Sequence, residues 1–251
     1  MLGVDIAALP PSRWADVAVA SRARLEQIGS VNIENLPLLD ASVDVVVSQF
    51  GIEYADHRRA LREADRVLVA DGAMRFVLHH AQGLPARLAR IELAHIDGLL
   101  ADMGGLIPAT RRVLEPFARS ATSAGRASLA SDPFAAAARD AFNAAMEATS
   151  RSAAQSACPD VLDETQSLAA STLDTAAHGD LAGAERMLDR WSAGLADART
   201  RLQELVACSL HAESIAEFGG IIAAAGRIVR TGVLRAGDEL LAWWLEADPS
   251  R

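Results

Sequence analysis

Residues 43–48, Val-Asp-Val-Val-Val-Ser, put apolar side chains on both faces of an extended segment, and this pattern limits the fold more than any other in the chain. A strand that is hydrophobic on both faces must be covered on both, as in a parallel sheet flanked by helices. The neighbouring segments agree. Residues 28–33 read as an earlier strand and 36–42 as a turn-rich loop. Over 54–69, Ala60, Leu61, Ala64, Val67 and Leu68 recur at helical spacing. Asp71-Gly72 is expected to end that helix, and 74–78 reads as the next strand, with His79 and His80 at its carboxyl end. At the start of the chain, 1–6 is a short apolar strand ending in Asp5 and Ile6, 7–11 is a loop, and Ser12 can cap a helix to residue 27. The expected class is α/β with a parallel sheet. In such a sheet, polar residues at the carboxyl ends of the strands are where a ligand is held.

From residue 82 to 206 the texture changes to Ala, Leu, Arg and Asp with helical period, interrupted at Pro85, Pro108, Pro116, Pro133 and Pro159. Four to six helices and no strands are expected, with Asp132 and Asp180 as helix N-caps. The last forty residues return to the earlier pattern. A helix over 211–225 ends at Gly226, and strands over 227–234 and 239–247 flank a turn, which signals a β-hairpin. The chain thus reads as a discontinuous α/β core, 1–81 and 207–251, with an all-α insertion at 82–206.

Composition excludes some functions. The chain has 251 residues, long enough for a substantial core, and carries a net charge of -9. That charge opposes docking on a phosphate backbone, so no nucleic-acid partner is expected. All 24 basic residues are Arg, which points to compositional bias more than to an arginine-based function. Cys158 and Cys208 lie far apart without further ligands at metal spacing. Reduced, buried thiols are expected, with no metal and no disulfide framework. No uncharged stretch approaches a membrane span, and no basic segment followed by an apolar run opens the chain. The expectation is a soluble cytoplasmic protein without a membrane partner, for which a homo-oligomer is compatible.

The run from Val31 to His80, the opening Gly3-Val4-Asp5-Ile6, and the closing helix and hairpin together resemble the second half of the class I S-adenosylmethionine-dependent methyltransferase core, of the type 11-like kind. The resemblance implies a Rossmann-like sheet and S-adenosylmethionine as cofactor. It places Asp5, with Ile6 beside it, on the ribose hydroxyls, although a lone acid here also reads as a loop or cap residue. Asn32 stands where the family often has Asp, to meet the adenine amino group, with Ile33 offering its N–H and apolar surface; a turn Asn fits equally well. Ser48, Gln49 and Phe50 would line the methionine end of the cofactor. Glu53 and Tyr54 continue that segment, and Tyr54, His79 and His80 would face the substrate. Phe50 also suits a core position, and the histidines suit plain strand-end roles; no catalytic residue is assigned. Gly219, Gly220 and Gly226 follow a helical pattern and not a strand, so they make no phosphate loop. Trp243 and Trp244 read as strand packing.

The family's first strand and its acid-x-Gly-x-Gly turn have no counterpart here. The expectation is an N-terminally truncated sheet, with Met1 an internal start. The lost strand would lie between the chain's first and third strands, exposing ladder groups on both. The implied function is methyl transfer to a small-molecule acceptor, with the helical insertion as the cap that selects it, impaired to the extent that the Gly-rich loop is missing. The alternative is a non-catalytic, degenerate relative whose helical part mediates association. A nicotinamide oxidoreductase fits the closing hairpin and the Leu36-Pro37 loop less well.

Overall fold

Two parallel strands, β3 (Val43–Gln49) and β4 (Leu68–His79), form the centre of the fold, paired from Val45 opposite Ala73 to Gln49 opposite Val77. The computed structural model describes residues 1–8 and 26–250. The chain divides into two compact units, Met1–Ala86 with Cys208–Arg251, and Arg87–Ala207. The first is an α/β unit of Rossmann-like character and the second is helical.

In the first unit the connection from β3 to β4 runs through a 3-10 turn (Ile52–Tyr54) and helix α1 (His57–Val67). Asp56 caps this helix, its carboxylate accepting the Arg59 N–H at 2.9 Å. Ala60, Leu61, Ala64 and Val67 form its buried face. They pack with Met74, Phe76 and Leu78 of β4, the apolar alternation of one strand meeting the apolar stripe of one helix. The helix expected over 54–69 therefore starts three residues later, because residues 52–54 are spent on the tighter turn.

Asp71-Gly72 does not end the element but lies inside β4. Val43 pairs with Leu68 and Val45 with Ala73, so β4 bulges outward by several residues between them. Arg227 holds this bulge, its Nε donating to Asp65 at 2.6 Å and its Nη1 to the Gly72 carbonyl at 2.8 Å. A Cβ on Gly72 would sit 2.8 Å from the Asp44 carbonyl oxygen, so only glycine allows the approach.

The closing segment supplies α8 (Ala212–Ala224), β5 (Arg227–Ala236) and β6 (Glu239–Pro249). β6 runs antiparallel between β4 and β5, with Phe76 opposite Leu245 and Leu78 opposite Trp243, giving the order β3-β4-β6-β5. The hairpin turns at Gly237, whose φ of 57° favours glycine. Trp244 lies across Gly232, where any Cβ would meet the indole at 2.6 Å, in line with the expected strand packing.

Strands β1 (Leu2–Val4) and β2 (Glu26–Ile28) form a separate parallel pair, Leu2 opposite Glu26 and Val4 opposite Ile28. β2 differs from the strand expected over 28–33. Ser30, with φ 59°, breaks the extension, and a turn closed by the Asn35 N–H on the Asn32 carbonyl follows. Of the helix expected over 12–27, residues 12–25 lie outside the described residues and 26–28 are strand. Among the described residues nothing pairs β1 or β2 with β3, so β3 is an edge, and it exposes Val45 (52%) and Val47 (70%).

The helical unit comprises α2 (Leu84–Leu100), which begins in the first unit, α3 (Leu106–Arg119), α4 (Ser123–Leu129), α5 (Pro133–Gln155), α6 (Asp160–Ala177) and α7 (Leu181–Cys208). Asp132 caps α5 through the Phe134 and Ala135 N–H groups, which hold its carboxyl below the ordinary range. Asp180 accepts the Gly183 N–H at 2.8 Å. The unit has its own core around Ile96, Leu114, Leu162, Leu173 and Leu188. Cys158 and Cys208 are half-buried and not fully enclosed, and burial raises the Cys158 thiol. No described helix is long and apolar enough to cross a membrane.

Candidate functional site

The parallel pairing of β3 and β4 brings their carboxyl ends side by side, and the chain reverses sharply just beyond. Phe50 donates its N–H to the Val77 carbonyl at 2.9 Å and takes a φ of 55°, the left-handed region that a bulky residue seldom occupies. Such a backbone costs about 1–3 kcal/mol and persists only where its surroundings enforce it. Ser48 provides part of that enforcement, its Oγ accepting the Ile52 N–H at 3.0 Å and closing the turn.

The turn carries Glu53 back to the end of β4. One carboxylate oxygen, Oε1, accepts both the backbone N–H of His79 and its ring Nδ1, each at 2.9 Å. Glu53 is only 1% exposed, and its other oxygen, Oε2, is buried with no partner among the described residues. The Phe50 ring lies 4.3 Å from the His79 ring, and Tyr54, itself half open to solvent, meets it edge-on at 5.8 Å. Phe50, Glu53, Tyr54 and His79 thus form one cluster.

His80 is not part of it. Successive residues at a strand end face opposite ways, and the His80 ring stacks on Trp243 at 4.3 Å while its Nδ1 accepts the Gln82 N–H at 2.9 Å. Burial, then the nearby charges of His211 and Arg235, hold this imidazole below its ordinary pKa. The expectation that both histidines face one crevice is therefore corrected: His79 joins the β3–β4 cluster and His80 packs against β6.

Asp5 follows β1, tied to β2 by its own N–H on the Ile28 carbonyl at 3.1 Å and by the Val31 N–H on its carbonyl at 2.9 Å. Its Oδ1 accepts the Ala7 N–H at 2.8 Å, and Oδ2 has no partner among the described residues. The exposed carboxylate can therefore still take a hydroxyl. Ile6 is exposed beside it. Asn32 has largely the turn role, with Oδ1 accepting the Glu34 N–H at 2.8 Å. Ile33 packs against the core of the unit. The loop holding both is fastened to α1: Glu63 accepts the Leu36 N–H at 2.7 Å, and Arg66 donates to the Leu38 carbonyl at 2.9 Å. Gln49 is exposed with its amide unengaged among the described residues, whereas the Ser48 hydroxyl already serves the turn.

Sequence reasoning missed the pairing of Glu53 with His79, since 26 residues separate them. The signal available was an acid within Phe50-Gly-Ile-Glu-Tyr54, an otherwise apolar run directly after a strand. Among the described residues no group of His, Cys, Asp or Glu could hold a metal ion.

Residues 3–76 match a family model described as a methyltransferase domain. The match starts within β1 and ends within β4, taking in Asp5, Asn32, Ser48, Gln49, Phe50, Glu53 and Tyr54 but not His79 or the helical unit. This segment therefore matches a methyltransferase domain, whose family generally binds S-adenosylmethionine, and it lies on the Rossmann-like α/β unit. Among solved structures, the YcgJ protein from Bacillus subtilis is 26% identical, over 36% of this chain and 42% of its own, with a TM-score of 0.30. The chain thus spans less than half of that protein. No curated protein matches it.

Proposed function

We propose that the chain is an S-adenosylmethionine-dependent methyltransferase acting on a small-molecule acceptor. The observation that carries this reading is the family match across residues 3–76, the stretch whose strand ends present a free Asp5 oxygen and an unengaged Gln49 amide. When bound, the cofactor supplies an electrophilic methyl group on a sulfonium. The chain's own residues have simpler tasks. Asp5 accepts ribose hydroxyls, as an acceptor-only carboxylate can. Ile6 and Ile33 offer apolar surface, Asn32 accepts through the remaining capacity of Oδ1, and Ser48, Gln49 and Phe50 shape the far end. Alignment of the reactants does most of the work in such a transfer. Tyr54 and His79 meet the acceptor. The net charge of -9 supports a small acceptor over nucleic acid.

The separation of β1 and β2 from β3 favours a second reading, a methyltransferase-like protein without activity whose helical part mediates association. Calorimetric titration with S-adenosylhomocysteine distinguishes the two, run on this chain and on one lengthened in frame at its amino end. Saturable binding that Asp5→Ala weakens about tenfold or more supports the enzyme. Binding only by the longer chain supports an enzyme impaired here by want of the Gly-rich loop. No binding by either leaves the non-catalytic reading.

A further inference from the structure

We propose that Glu53 and His79 form a proton-accepting pair, with His79 Nε2 as the base that deprotonates a phenolic acceptor and Glu53 as the residue that positions it. This rests on the methyltransferase reading above and deepens it. A carboxylate is acceptor-only, so a neutral imidazole whose Nδ1 lies 2.9 Å from Glu53 Oε1 must carry its proton on Nδ1. The lone pair is then on Nε2. No described residue hydrogen-bonds Nε2, and among described residues Glu53 Oε2 is the buried side-chain nitrogen or oxygen left without a partner. His79 as a whole is 7% exposed. The ring cannot turn freely to present the other nitrogen: Glu53 holds one edge, Phe50 covers a face and Tyr54 abuts it.

Glu53 Oε1 satisfies the backbone N–H of His79, but that role needs neither the contact to the ring nor an Oε2 left without a partner among the described residues. A buried carboxylate with one oxygen unpartnered weakens a core in which an apolar side chain would pack without loss. The same carboxylate favours an imidazolium that forms against it, which a base needs at the moment it takes a proton. The strained Phe50 backbone lies in the same cluster. Acceptors already ionised near neutral pH, such as carboxylates, need no base, whereas a phenol ionises only near pH 10 and does. The aromatic surfaces of Phe50 and Tyr54 suit a planar ring. In the step, the acceptor O–H bond breaks and its proton goes to His79 Nε2. The oxygen bonds to the methyl carbon, the carbon–sulfur bond breaks with its electron pair to sulfur, and the proton on His79 leaves to water.

Histidine-labelled protein, with and without S-adenosylhomocysteine, allows the ring to be read directly by long-range proton–nitrogen correlation NMR, with His79→Gln assigning the signals. The expected result is protonated Nδ1 and unprotonated Nε2 in the wild type, and a shift of the proton toward Nε2 in Glu53→Gln, whose amide can donate to Nδ1. Protonated Nε2 in the neutral wild-type ring, or a tautomer indifferent to Glu53→Gln, overturns the pair. Methyl transfer to 4-nitrophenol and 4-nitrocatechol is then followed. His79→Gln should lower kcat about 100-fold or more and leave the S-adenosylhomocysteine affinity within threefold. An unchanged kcat overturns the base, and transfer to thiol or amine probes alone, or to none, overturns the phenolic assignment. Failure of wild-type protein to bind S-adenosylhomocysteine overturns the methyltransferase reading itself and the proposal with it; binding with the wrong tautomer overturns the proposal alone.

Discussion

His79 and His80 are adjacent in sequence, yet their environments assign them different work. His79 is held by a carboxylate. His80 lies on the Trp243 ring with its proton affinity lowered, by burial first and then by His211 and Arg235. An imidazole with a lowered folded-state pKa binds fewer protons folded than unfolded, so its contribution to stability is full above the unfolded value of about 6.5 and is lost as pH falls toward the folded one. Glu63 and Asp248, both lowered chiefly by hydrogen bonds from arginines, Arg66 and Arg75, contribute losses only in the more acidic carboxylate range. Urea unfolding should therefore show a plateau between about pH 7 and 8, a first decline below about 6.5, and a second one below about pH 4.5. His80→Phe, which keeps the stacking on Trp243, should abolish the first decline and leave the second. A first decline that survives the substitution would assign it to another group. The residue scale was also the least legible one in the sequence. Strand ends could be located, but the partner of His79 depends on a turn that Ser48 closes and a strained Phe50 directs, and neither has a local pattern.

At the scale of elements, the apolar runs at 43–48 and 74–78 and the hairpin at 227–247 were readable because apolar runs and alternation across a tight turn leave a direct trace in residue order. β3 is nevertheless not covered on both faces as its pattern led us to expect, since Val45 and Val47 are exposed. The second strand was misplaced because its register is set by pairing with Leu2–Val4 and its end by Ser30, not by the apolar run that follows. The bulge in β4 was read as a helix stop because Asp71-Gly72 has that chemistry locally. Arg227, distant in sequence, draws the same residues into the strand. Among the described residues β3 is an exposed edge. A strand with unpaired ladder groups and outward-facing valines is a template for association. Val47→Lys should change unfolding free energy by no more than about 0.5 kcal/mol, as expected of a surface site, while slowing aggregation measured by light scattering. A large loss of stability would mean that Val47 is covered in solution.

On the scale of the whole molecule, each of the two units has its own core, one built on β3, β4, β6 and their helices, the other entirely of helices. The family match falls wholly within the first. Under the proposed function, cofactor recognition belongs to strand ends of the α/β unit and acceptor selection to the helical one. Backbone hydrogen exchange with and without S-adenosylhomocysteine tests that claim directly. The account predicts slowed exchange at residues 3–8, 30–34 and 48–54, with the amides around His79 included and residues 87–207 largely unchanged. Protection confined to the helical unit, or none anywhere at saturating ligand, would contradict it.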